Sequence, residues 1–103
     1  LGVTSEKRSP ALPQLQTISE GGVKGYRVVT WYGALAPAGT SSDIVGKLSS
    51  ELARTVKSPD MQERMAGEGA DPIGSTPAQF AVFLEGEIAK WRKVIRESGV
   101  RGD

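Results

Sequence analysis

Apolar and polar positions alternate between two periods along the chain, and the change of period marks its elements. Leu1-Gly2-Val3-Thr4 is a brief β-prone stretch, and Ser5-Glu6-Lys7-Arg8-Ser9-Pro10 after it is polar and rich in breakers. From Ser9 to Gly25, two prolines and three glycines interrupt any long helix and leave an ordered connector, with Thr17-Ile18-Ser19-Glu20 able to make a single turn. Tyr26-Arg27-Val28-Val29-Thr30-Trp31-Tyr32 places six β-branched or aromatic residues in seven positions, which predicts a strand extended by Gly33 to Ala36 and ended by Pro37-Ala38-Gly39.

The period then becomes helical. Ile44, Val45, Leu48, Leu52 and Val56 share one face of a helix that Thr40 is placed to cap, with Asp43 in its first turn. Ser58-Pro59 restarts the chain as a cap and a first-turn proline, predicting a short helix over Asp60 to Ala66 ended by Gly67 and Gly69. Ala70 to Ile73 reads as a short strand. Thr76-Pro77-Ala78-Gln79 is a capping box ahead of a long amphipathic helix with Phe80, Phe83, Leu84, Ile88, Trp91 and Ile95 on one face, running to about Glu97 with Gly99 as its stop.

A chain of 103 residues has room for one domain. With neither His nor Cys it lacks thiol nucleophiles, imidazole bases, disulfides and Cys/His metal sites, which argues against an enzyme and against a bound cofactor or metal. Thirteen basic and twelve acidic residues give a net charge of +1, too weak a field to imply nucleic acid. Its apolar runs fall well short of the ~20 residues of a spanning helix. Nothing in Leu1 to Thr4 has the basic and apolar parts of a leader peptide.

Glu85 and Glu87 are two residues apart, point to different sides of a helix and read as a solvated face rather than an acid/base pair. The run Gly33 to Thr40 lacks the lysine and spacing of a phosphate loop, so it reads as a strand exit followed by a helix cap. Arg101-Gly102-Asp103 spells an adhesion tripeptide that common residues produce by chance. Phe80, Phe83 and Trp91 lie on the core face of the last helix. Trp31 and Tyr32, as strand neighbours, point to opposite faces, so either both faces are covered by helices or one ring borders a cleft that Gly33 leaves open.

The order of these motifs resembles a known family. Leu1-Gly2-Val3-Thr4, Lys7-Arg8-Ser9-Pro10, Leu12-Pro13, Thr17-Ile18-Ser19-Glu20, Trp31-Tyr32-Gly33, Ala36-Pro37-Ala38-Gly39-Thr40, Ser58-Pro59, Thr76-Pro77, Phe80 and Lys90-Trp91 resemble the C-terminal third of Bug-type solute-binding proteins, the extracytoplasmic receptors of tripartite tricarboxylate transporters. Gln16 and Lys24 stand where that family usually has Pro, and Gly46 and Gly86 interrupt the two long helices.

The resemblance implies an α/β fold, part of a two-lobed Venus-flytrap periplasmic binding protein with short strands and two to three amphipathic helices. Residues 1–103 would form a single C-terminal subdomain, with 1–25 a connector and 26–103 a portion of an α/β lobe. It implies a periplasmic location, a small carboxylate-bearing solute held between lobes, membrane components of the transporter as partners and no enzymatic activity. Trp31, Tyr32 and Gly33 are the segment expected to border the solute. The rival expectation is a stand-alone α/β interaction domain closed by homodimerisation of its apolar helix faces, and self-association of the isolated chain is expected in either case.

Overall fold

The computed structural model describes residues 1–101; Gly102 and Asp103 of the terminal tripeptide lie outside the described residues. Three helices form among the described residues: α1 over Ser42–Val56, α2 over Pro59–Gly67 and α3 over Pro77–Ser98. The chain divides into two interleaved units, one built from Leu1–Pro37 and Pro59–Asp71, the other from Ala38–Ser58 and the chain from Pro72 onward.

In the first unit Val3 and Thr17 form an isolated parallel bridge. The Val3 N–H donates to Gln16 O at 2.9 Å, and Val3 O accepts from Ile18 N at 3.0 Å. The turn expected over 17–20 is present and is tied by the device that starts helices. Glu20 N donates to Thr17 Oγ1 at 3.0 Å while Thr17 N donates to Glu20 Oε2 at 2.7 Å, the reciprocal pattern of a capping box closed around one turn. Arg8 Nε donates to the same Glu20 oxygen at 2.9 Å, so a polar cluster orders this connector, and Thr17 is buried within it.

The Arg8 guanidinium, then the Thr17 N–H, hold the Glu20 carboxyl below its ordinary value of 4.5. A depressed carboxyl contributes stability above its unfolded pKa and loses it as pH falls through the folded one. Glu20→Gln should therefore lower the melting temperature at neutral pH, and the gap between variant and parent should close below pH ~4. A gap that is unchanged in acid would show that the carboxylate charge contributes nothing.

The strand expected over 26–36 is extended backbone without a ladder, and 70–73 is likewise not a strand. Val28 N donates to Thr4 O at 2.9 Å, and no ladder is assigned over the segment. The β-branched and aromatic run supplies extended propensity, but a strand exists only where a second segment lies in register with it.

In the second unit the cap of α1 falls one residue later than Thr40: Ser41 Oγ accepts from Ile44 N. Thr76 and Gln79 close the expected capping box of α3, and Gly99, with φ +69°, ends it after Ser98. The chain leading into α3 packs on the end of α1 at Gly74, which has φ +59°, and a Cβ there would come within 3.1 Å of Val56 Cγ2 and 3.2 Å of the Ala53 backbone. Gly86 lies mid-helix with open space around the Cβ position. Opposite outcomes follow for one chemical change: Gly86→Ala should stabilise by roughly 0.5–1 kcal/mol, and Gly74→Ala should destabilise by about 1 kcal/mol. Urea unfolding of both variants checks the pair, and equal signs would contradict the local geometry.

Among the described residues no hydrophobic side chain is fully buried. The two that are buried are polar, Thr17 and Glu87. Glu87, expected on a solvated face, is only 4% exposed and accepts a hydrogen bond from Trp91 Nε1 at 3.1 Å. It lies four residues after Phe83 and four before Trp91, in the middle of the apolar arc of α3 rather than beside Glu85 on the wet side. Trp91 itself is 38% exposed, less enclosed than its place on that arc suggests.

Candidate functional site

Trp31, Tyr32 and Gly33 follow one another on the extended segment of the first unit, downstream of the Val28–Thr4 bond that anchors it. Tyr32 is 96% exposed, so its ring and hydroxyl are presented to solvent, while Trp31 beside it is partly covered. Gly33 follows directly and carries no side chain.

Two cavities lie within the same unit, of about 210 and 200 Å³. Glu6, Ser19, Gly25, Tyr26 and Arg27 line the first, and the second is a shallow depression along Gly2, Thr17, Ile18 and Val23. Both are smaller than the roughly 300–1,000 Å³ of a small-molecule site, and neither is lined by Trp31, Tyr32 or Gly33. Tyr32 thus presents an exposed ring and hydroxyl outside the lining of both cavities.

Among the described residues no three His, Cys, Asp or Glu side chains gather as a metal site, and no helix is long and apolar enough to cross a membrane. Two polar clusters, Arg8–Glu20–Thr17 and Glu87–Trp91, stand apart from the aromatic segment in sequence, and both hold backbone or ring geometry rather than offering open groups. The capping-box pattern Thr17-x-x-Glu20 is the sequence signal for the first. The i, i+4 spacing of Glu87 and Trp91 within an apolar arc is the signal for the second.

The fold defined by these elements is part of a periplasmic binding protein. It superposes on the periplasmic binding protein BugD with a TM-score of 0.81 and 35% identity, covering 99% of this chain and 35% of that one. It also superposes on R. palustris Rpa4515 with adipate, with a TM-score of 0.80 and 38% identity over 96% of this chain and 33% of that one. Residues 1–100 match the tripartite tricarboxylate transporter family receptor, and the chain belongs to this family, one of receptors rather than enzymes.

Relatives include a UPF0065 protein in the tcbD-tcbE intergenic region of Pseudomonas sp. (strain P51), 38% identical over 94% of this chain, and Protein BugT of Bordetella pertussis, 32% identical over 98%. The chain spans 29% and 31% of the lengths of these two relatives.

Proposed function

We propose that this chain is the C-terminal portion of a periplasmic solute-binding receptor that captures a small carboxylate-bearing solute for delivery to the membrane components of a tripartite tricarboxylate-type transporter. The observation that carries this reading is the match of residues 1–100 to the receptor family, supported by the likeness to a protein whose structure holds adipate. Trp31, Tyr32 and Gly33 supply one wall of the solute site, where Tyr32 offers a hydroxyl and Gly33 leaves room for the solute or for backbone donors. Such a site needs neither His nor Cys, because amide N–H groups, hydroxyls and ordered water suffice to hold a carboxylate.

A binding site draws its affinity from donors converging on the ligand from several sides, and one wall leaves most of the desolvation cost without compensation. The isolated 103-residue chain should therefore bind carboxylates weakly or not at all. A receptor in which this sequence is continued by the family's remaining length should bind one member of a carboxylate panel with 1:1 stoichiometry. Titration calorimetry with adipate, other dicarboxylates, aromatic acids and acidic amino acids tests both statements. Silence of the longer receptor across the panel contradicts the proposed function, and micromolar binding by the isolated chain contradicts the one-wall arrangement.

A further inference from the structure

The charges of this chain balance overall but not along its length. Residues 90–101 carry Lys90, Arg92, Lys93, Arg96 and Arg101 against Glu97 alone, whereas residues 1–89 hold eight basic and ten acidic side chains. Three of the five stand on one side of α3. At about 100° per residue, Arg92, Lys93 and Arg96 lie roughly 120–180° around the helix from the line of Phe83, Glu87 and Trp91, and all three are exposed.

The needs of the helix do not explain this arrangement. The macrodipole favours cations in the last turn, which accounts for Arg96 but not for Arg92 and Lys93 before it. Lys93 reaches Glu97 at 4.0 Å, while Arg92 and Arg96 have no ion-pair partner among the described residues and repel each other at i, i+4 spacing. Three long cationic side chains fan from a convex face, a shape that meets many shallow anionic groups at once and offers no cleft for a single one.

We propose that the Arg92–Lys93–Arg96 face of α3 binds the anionic phospholipid headgroups of a bilayer surface. Clusters of four to eight Lys and Arg on an amphipathic helix suffice for such peripheral contact, and residues 90–101 supply five. The contact is electrostatic and reversible, and it rests on α3 alone, whatever solute the chain serves.

Co-sedimentation of the 103-residue chain with vesicles of phosphatidylcholine, with and without phosphatidylglycerol, tests this. Binding is expected only where phosphatidylglycerol is present, and it should fall as salt shortens the Debye length. Each basic side chain at an anionic surface raises partitioning about fivefold, so Arg92→Gln with Arg96→Gln should weaken binding at least tenfold. Lys7→Gln with Lys24→Gln removes the same net charge from exposed positions of the first unit and should change binding less than twofold. Arg92→Lys with Arg96→Lys keeps the charges and should retain binding within about threefold. The glutamine pair should also melt no lower than the parent, because it relieves a repulsion. Absence of parent binding to phosphatidylglycerol vesicles overturns the proposal, as does equal binding to phosphatidylcholine alone or equal weakening by the two glutamine pairs. Retention on immobilised polyglutamate without vesicle binding overturns it too, and assigns the face to an acidic polypeptide.

Discussion

Trp91→Ala should destabilise the folded chain by about 3 kcal/mol, the lower end of the range for removing a large aromatic from a core, because the ring is partly exposed. Two losses combine in that figure. The ring leaves a gap on the apolar arc of α3, and Glu87, buried beneath it, loses the indole N–H that donates to its carboxyl oxygen at 3.1 Å. Losing one hydrogen bond at a buried carboxyl costs about 1–3 kcal/mol. Trp91→Phe keeps most of the ring and removes only the donor, so it should cost about half as much. Combining Glu87→Gln with Trp91→Phe should show a coupling of about 1 kcal/mol in a double-mutant cycle. Urea unfolding followed by circular dichroism measures all five proteins, parent included, and a loss below about 1 kcal/mol for Trp91→Ala would mean that the indole caps the surface rather than closing it.

Tyr32→Ala and Gly33→Val should each weaken solute binding by the full receptor at least tenfold, about 1.4 kcal/mol. The two changes act differently. Tyr32 is almost wholly exposed, so its removal takes away a hydroxyl and a ring face while leaving nothing unpacked. Gly33 carries no side chain beside Tyr32, so valine adds volume that should intrude on the bound solute. Both variants should melt within ~1 °C of the parent, since exposed positions rarely move stability by more than about 0.5 kcal/mol. Calorimetry with an identified solute decides the matter, and unchanged affinity in both would return the segment to a structural role.

These expectations draw on parts of the sequence that differ in how openly they declare themselves. The ends of α3 are legible because their causes are local: Thr76, Pro77 and Gln79 satisfy the first N–H groups, and Gly99 adopts the left-handed conformation that ends the helix. The start of α1 is legible to within one residue, since Thr40 and Ser41 are both competent caps and only the backbone path chooses Ser41. The extended run from Tyr26 to Ala36 was not decidable in the same way, because strand hydrogen bonds depend on a distant segment in register, and no local pattern reports whether one arrives. Glu87 was misread because its neighbour Glu85 suggested a polar face; the two lie about 200° apart around α3, and only the one aligned with Phe83 and Trp91 is covered.

The order in which the two units are threaded has a consequence for synthesis. Residues 1–37 begin one unit, 38–58 turn to the other, 59–71 return to complete the first, and the chain from Pro72 completes the second. A ribosome delivers residues from the N-terminus, so the first unit remains open until α2 has emerged, by which time α1 is already exposed and waiting for α3. Neither unit can finish before the other has begun, and no single cut in the backbone releases either intact. Completion of both units therefore awaits the emergence of α3, and its rate should be set by the closure of these interleaved loops rather than by the microsecond formation of the helices themselves.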